Sequence, residues 1–239
     1  MPTAEGIFPD PGWQTVSPQD AGLDPAALSA AADLLSRPHS NARAFLAARG
    51  GRIACERYYQ GCAPADRLHL FSVTKSVMSA LTGIALGEGA LKSLEQRVVD
   101  FFPEVPAASA GPLGLLTLRH LLTMTTGMAW PGGRMGREPM FQRLVHSPDW
   151  ARFILSVPVR REQVGVFHYN SAASHLLSLI LPRATGQPAC EYAAARLFAP
   201  LGIAPVVHGV DWDADPQGSS IGGWGLHLNA RELARFGLL

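Results

Sequence analysis

The 239-residue chain is 47% hydrophobic and 16% charged, below the usual charged share of about 25%, so it is no disordered chain and is long enough to bury a sizeable core. A formal net charge of +1, with no lysine/arginine block and no acidic tail, argues against nucleic acid and anionic membrane as partners and for a small substrate recognised locally. The opening MPTAEGIFPDPGWQ has no basic start followed by an apolar run, and no stretch is long enough to span a bilayer, so a cytoplasmic location is expected.

In chain order, GLDPAALSAAADLLSRP places Asp24 as an N-cap and Pro25 at the first helical position, which predicts a surface helix ending before Pro38. ARAFLAARGGRIACERYY then reads as two strands turning at Gly50 and Gly51, where positive φ suits a tight hairpin. This hairpin is the one piece of sheet the pattern predicts, and it needs further strands beside it. Residues 71 to 87 predict a helix that Gly87 and Gly89 end. Helical pieces follow in TLRHLLTMTT, WARFILSV, SAASHLLSLIL and ACEYAAARLF, with PAASAGPLG and WPGGRMGREP as loops. A connection rich in glycine and aspartate runs from Pro205 to Gly225, and NARELARFGLL closes the chain with Asn229 and Glu232 at capping-box spacing. The cysteines Cys55, Cys62 and Cys190 are odd in number and lack metal-ligand spacing, so free thiols are expected, with a Cys55–Cys62 bridge as the alternative.

The chemistry concentrates in FSVTKSV. Lysine and arginine total 20, and the lysines are Lys75 and Lys92 alone, so Lys75 stands out in a chain that writes its cations as arginine. Only lysine of the two can shed its proton and act as a base. At 100° per residue, Ser72, Lys75, Ser76 and Ser79 share one stripe of the helix, with Val73, Val77, Leu81 and Ile84 opposite. A solvated amphipathic helix would look similar, but a stripe with one charge reads better as the wall of a cleft. Side chains three apart lie about 5–6 Å apart at Cβ, so a neutral Lys75 reaches the Ser72 hydroxyl and can activate it as a nucleophile. In VFHYNSAASHLL, Tyr169 stands just before a helix, where a neighbouring cation would lower its pKa and let it shuttle a proton.

Other motifs fail on context. GSSIG, residues 218 to 222, matches a nucleophile elbow, yet it lacks the strand before it and the helix after it, and after Ser220 there is His227 but no aspartate. The histidines have no zinc spacing, and His120 and His175 read as packing or hydrogen-bonding residues; no metal and no cofactor is implied. DWDADPQG alternates aspartates like a calcium loop without its final glutamate, and reads as a solvated loop. Trp130, Trp212 and Trp224 sit in glycine-rich loops, as cleft walls or buried anchors.

Taken in order, FSVTKSV, LRHLLTMTTGM, FHYNSAASHLLS, ATGQPACEYAAARLFAPLGI and GGWGLHLNARELARFGLL resemble the serine hydrolases of the beta-lactamase superfamily, in the branch of class C beta-lactamases, related esterases and 6-aminohexanoate-dimer hydrolases. The likeness runs from about Ser17 to the last residue. It implies an α/β (α+β) fold of the beta-lactamase/transpeptidase type, with an antiparallel sheet flanked by helices and a mostly helical lobe. Residues 1–91 would hold the N-terminal part of the sheet lobe and the Ser72 helix, 92–204 the helical lobe with Tyr169, and 205–239 a return segment.

The resemblance further implies Ser72 as nucleophile, Lys75 as its base and Tyr169 as proton relay, with Ser171 at the substrate-contacting position that many relatives fill with asparagine. That departure leans toward an ester or amide substrate over a beta-lactam. In the family, later strands complete the sheet and carry a Lys-Thr-Gly-like motif. The sequence reaches Leu239 without one, so a truncated sheet is expected, with self-association or rescue by a partner chain as its consequence. The rival reading is a non-catalytic remnant acting as a binding module.

Overall fold

The computed structural model describes residues 8–9, 12–38, 40–105, 111–131 and 139–239. Residues 106–110 of the expected loop PAASAGPLG, residues 132–138 of the expected loop WPGGRMGREP and most of the opening segment lie outside the described residues. Along the chain run β1 (Gln14–Thr15), α1 (Pro25–Leu35), β2 (Ala44–Arg49), β3 (Arg52–Tyr58), β4 (Leu68–His69), α2 (Thr74–Gly87), α3 (Leu118–Thr123), α4 (Pro139–Val145), α5 (Trp150–Leu155), α6 (Ser171–Thr185), α7 (Ala189–Ala193), β5 (His227–Leu228) and α8 (Ala230–Phe236). They fall into two compact units.

The first unit comprises Met1–His69, Phe198–Pro205 and His227–Leu239. Asp24 caps α1 by accepting from the Ala26 and Ala27 amides at 2.8 and 3.3 Å, which satisfies two donors that an uncapped first turn would leave bare. The hairpin β2–β3 turns at Gly50 and Gly51, with φ of +57° and +73°, the left-handed pair that matches strand twist. β1 adds to β3 in parallel, giving the order β1–β3–β2, and β4 pairs antiparallel with β5. The expectation that the hairpin is the chain's one piece of sheet is therefore corrected. β1, β4 and β5 have two residues each, too few to show the alternation that marks a strand.

α8 packs against β2, and Arg231 on it grips Glu56 of β3 with two bonds of 2.8 and 2.7 Å. At its start Asn229 accepts from the Glu232 amide at 2.9 Å while Glu232 accepts from the Asn229 amide at 3.0 Å. Asn229→Ala removes one half of that box and is expected to cost about 1 kcal/mol, read as a lower denaturant midpoint.

The second unit comprises Leu70–Leu197 and Val206–Leu226. Its centre is α6, buried at every position from Ser171 to Leu181, as a helix enclosed on all sides must be. α2, α3, α5 and α7 pack around it. α2 turns Thr74, Val77, Met78, Leu81, Thr82 and Ala85 inward, and burying side chains the size of Met78 and Leu81 contributes about 1.5–3 kcal/mol each.

This differs from the expected stripe, for Val73 is exposed and Thr74 is buried. Residues Phe71–Val73 form a 3-10 turn, which advances 120° per residue rather than 100° and so shifts the phase of the first turn. Ser76 and Ser79 are exposed, so the enclosed part of the polar stripe is confined to Ser72 and Lys75. The segment DWDADPQG is also not simply solvated: Trp212 and Asp215 are buried, as are Trp130 and Trp224.

Candidate active site

Ser72 lies in the 3-10 turn that leads into α2. The residue before it, Phe71, has φ +46°, a left-handed conformation that costs an aromatic residue about 1–2 kcal/mol. Thr74 stabilises the turn. Its buried hydroxyl donates to the Phe71 carbonyl at 2.7 Å and accepts from the Leu226 amide at 3.2 Å. The Leu70 amide bonds the Leu226 carbonyl at 2.8 Å, so the turn is stitched to the segment 222–226 on both sides.

One helical turn on, the Lys75 Nζ donates to Ser72 Oγ at 3.0 Å and also to the carbonyl of Gly223. It stands 5.0 Å from the centroid of the Tyr169 ring. The Tyr169 hydroxyl lies 2.5 Å from Ser72 Oγ. Two neighbouring side chains and a third from 97 residues on thus form one hydrogen-bonded set, half-buried and open on the side of Tyr169, which is 40% exposed.

Tyr169 is placed by its neighbours. Asn170 is the N-cap of α6, its side chain accepting from the Ala173 amide at 3.0 Å. The His168 amide bonds the Met124 carbonyl at 2.8 Å, and the Gly165 amide that of Thr125 at 2.9 Å. The stretch LLTMTTGM is therefore the rail along which the tyrosine segment lies. Ser171 is 4% exposed, and its side chain hydrogen-bonds Tyr169.

Burial pushes the Lys75 ammonium below the ordinary lysine value, only partly offset by its bond to Tyr169. Burial alone would raise the Tyr169 phenol, but its hydrogen bonds to Lys75 and Ser72, the Lys75 charge and the bond to Ser171 outweigh that and hold it low. The two groups together give up one proton at a lower pH than either would alone. The states that remain, amine with phenol or ammonium with phenolate, differ by one proton moved within the set. Either state holds a base against Ser72 Oγ.

Sequence reasoning missed Gly223 and Thr74. A Cβ on Gly223 would lie 2.5 Å from the Ser171 carbonyl oxygen, and one on Gly222 would lie 2.8 Å from that of Ser174. Two adjacent glycines before Trp224 were the available signal, since only a chain without side chains lies this flat on a helix.

The rejected elbow holds Ser220 buried at 2% exposure, with its hydroxyl 3.3 Å from His208 Nδ1. Cys55, Cys62 and Cys190 are free. Burial pushes the Cys190 thiol up to about 11, so at neutral pH it is no nucleophile.

A family model described as Beta-lactamase matches residues 31–239. The 6-aminohexanoate-dimer hydrolase of Paenarthrobacter ureafaciens is 28% identical, over 81% of this chain and 50% of that protein. The chain thus spans about half the length of that curated relative. Among solved structures, FmtA from Staphylococcus aureus aligns with a TM-score of 0.70 at 10% identity, over 98% of this chain and 68% of that one. A class C beta-lactamase from Rhodobacter sphaeroides aligns with a TM-score of 0.52 at 22% identity, over 77% and 56%. At such identities these two likenesses are of fold alone.

Proposed function

The chain belongs to the Beta-lactamase family, and from that premise we propose that it is a serine hydrolase cleaving an ester or amide through a covalent acyl-enzyme. The observation that carries the reading is the Ser72 hydroxyl held 3.0 Å from the Lys75 amine and 2.5 Å from the Tyr169 hydroxyl. Lys75 and Tyr169 take the Ser72 proton as Oγ bonds to the substrate carbonyl carbon. The tetrahedral adduct then collapses, the leaving alcohol or amine receives that proton through Tyr169, and water enters by the reverse steps to free the acid and restore Ser72. Ser72 sits at the start of a helix, where the positive end of the helix dipole favours the developing oxyanion.

The hydrolase named for the Paenarthrobacter relative supports an amide among the substrates, and Ser171 in place of an asparagine supports a site shaped for something other than a beta-lactam. Ser171 acts in this scheme through Tyr169, whose phenol it helps hold low. A cleft of about 570 Å³ runs along the segment that ends in Tyr169, lined by Met128, Trp130, Met140, Val166 and His168 among others. Arg160 and Gln163 line it as well, so it suits an acyl or leaving group that is part apolar and part polar.

The test is labelling with a fluorophosphonate probe. The wild-type protein is expected to label once, at Ser72, and Ser72→Ala to lose the label entirely while keeping its fold. A well-folded wild type that takes no label overturns the reading in favour of a binding module without turnover.

A further inference from the structure

The second unit contains a buried acid–base pair that the proposed chemistry leaves unused. His175 lies one turn into α6 and is 0% exposed, and Asp215 is 5% exposed. His175 Nε2 lies 3.1 Å from Asp215 Oδ2, and His175 Nδ1 lies 3.2 Å from the Gly222 amide nitrogen. A backbone amide can only donate, so Nδ1 accepts, and the single ring proton of the neutral imidazole sits on Nε2, where it bonds the carboxylate. Asp215 is itself pinned, since its Oδ1 accepts from the Gln217 and Ser219 amides at 2.9 and 2.8 Å. The Trp150 ring meets the imidazole edge-on at 5.3 Å, and the Ser178 hydroxyl, beside Nδ1 at 3.2 Å, is 2.8 Å from the His175 carbonyl. Every polar atom of the pair is thus committed to a partner.

What the pair holds is the Gly222 amide, and the next residue, Gly223, presents its carbonyl to Lys75. Because Gly222 and Gly223 lie directly on the α6 backbone, a shift of the Gly222 amide carries the Gly223 carbonyl with it. We propose that Asp215 and His175 are positioning residues: Asp215 fixes the imidazole tautomer, the imidazole fixes the Gly222 amide and with it the Gly222–Gly223 segment, and the Gly223 carbonyl of that segment holds Lys75 against Ser72. The inference rests on the hydrolase reading for the purpose of the arrangement, though the arrangement itself can be tested without turnover. One helix then sets both partners of the serine, with Tyr169 placed by its cap and Lys75 by its one histidine, His175.

The experiment uses the full chain labelled with [¹³Cε]lysine and [¹⁵N]histidine. With two lysines in the sequence, the titration yields two resolvable signals. In wild type, the Lys75 midpoint lies below the ordinary lysine value and the His175 nitrogens report a neutral ring protonated at Nε2. Asp215→Asn keeps the shape of the carboxylate but turns an amide donor toward Nε2. That drives the ring proton to Nδ1, against the Gly222 amide. The expected result is a reversed tautomer, a Lys75 midpoint raised by roughly half a unit or more toward the ordinary value as water reaches the amine, and fluorophosphonate labelling slowed about tenfold, within the range a displaced base gives.

His175→Asn restores an acceptor near the Nδ1 position and is expected to keep the midpoint and the labelling rate within about twofold of wild type. His175→Gln, which reaches Asp215 but leaves the Gly222 amide bare, behaves like Asp215→Asn. Folded Asp215→Asn and His175→Gln proteins with wild-type Lys75 midpoints overturn the proposal, as does a folded His175→Asn that loses as much as His175→Gln. If the wild type takes no label, the hydrolase reading fails, and the Lys75 midpoint and the tautomer still decide whether the pair positions the amine.

Discussion

Lys75→Arg is expected to lower the rate of Ser72 acylation about 10²–10⁴-fold, the span over which a positioned general base acts. The substitution keeps a cation beside Ser72 and Tyr169 but removes the option of giving up its proton, because a guanidinium stays charged at any working pH. If the part played by Lys75 were to anchor Tyr169 or to supply positive charge, arginine would keep most of the rate. In the wild type the sign of the pH dependence follows from the same set. Lys75 and Tyr169 are both held below their ordinary values, so acylation rises as pH rises through the depressed first midpoint of the pair. Below that midpoint both groups carry their protons and no base faces Ser72. Stopped-flow acylation with a chromogenic ester, from pH 5 to 10 or so, measures both effects. A Lys75→Arg rate within tenfold of wild type would remove the amine from the mechanism.

Gly223→Ala is expected to slow acylation far more than its loss of stability accounts for. Its Cβ would lie 2.5 Å from the Ser171 carbonyl oxygen and 3.3 Å from the Ser171 Cβ, neither of which is the end of a flexible side chain. The segment must lift off α6, at a cost of about 1–3 kcal/mol typical of overpacking, and the Gly223 carbonyl leaves Lys75 as it lifts. Acylation should fall by two orders of magnitude or so, beyond what the stability loss explains, because the retained fold holds a misplaced amine. Gly83→Ala is the matched control. Nothing lies within 4 Å of a Cβ there, so within α2 the change should stabilise by about 0.5–1 kcal/mol and leave the rate alone. Urea denaturation alongside acylation rates separates the two outcomes; a Gly223→Ala protein as stable as Gly83→Ala would show that the Gly223 contact is not tight.

Much of the candidate site was legible because helix geometry is local. Ser72 and Lys75 stand three residues apart, so their meeting needs no knowledge of the rest of the chain. The helical pattern of SAASHLLSLIL likewise showed Tyr169 standing just before a helix. The hairpin turn at Gly50–Gly51 and the box at Asn229 and Glu232 are of the same kind, each a contact between residues a few positions apart.

What was not legible runs through backbone atoms or between distant residues. The Gly223 carbonyl carries no side-chain signature, although it completes the surroundings of Lys75. His175 and Asp215 lie 40 positions apart, and each looks ordinary alone, one a helix histidine and the other part of a loop. Val73 and Thr74 exchanged places because a tight first turn breaks the regular period, which no count of apolar residues detects. The short strands β1, β4 and β5 exist through pairing with partners elsewhere, not through any pattern of their own.

The left-handed backbone at Phe71 sets thermal tolerance and reactivity against one another at a single position. Glycine there would relax the peptide and gain heat resistance, while loosening the hold on the alcohol that follows it. A breeding scheme that scores survival after heating alone would therefore drift toward a sturdier, slower protein, and its first sign would be a replaced aromatic at that turn.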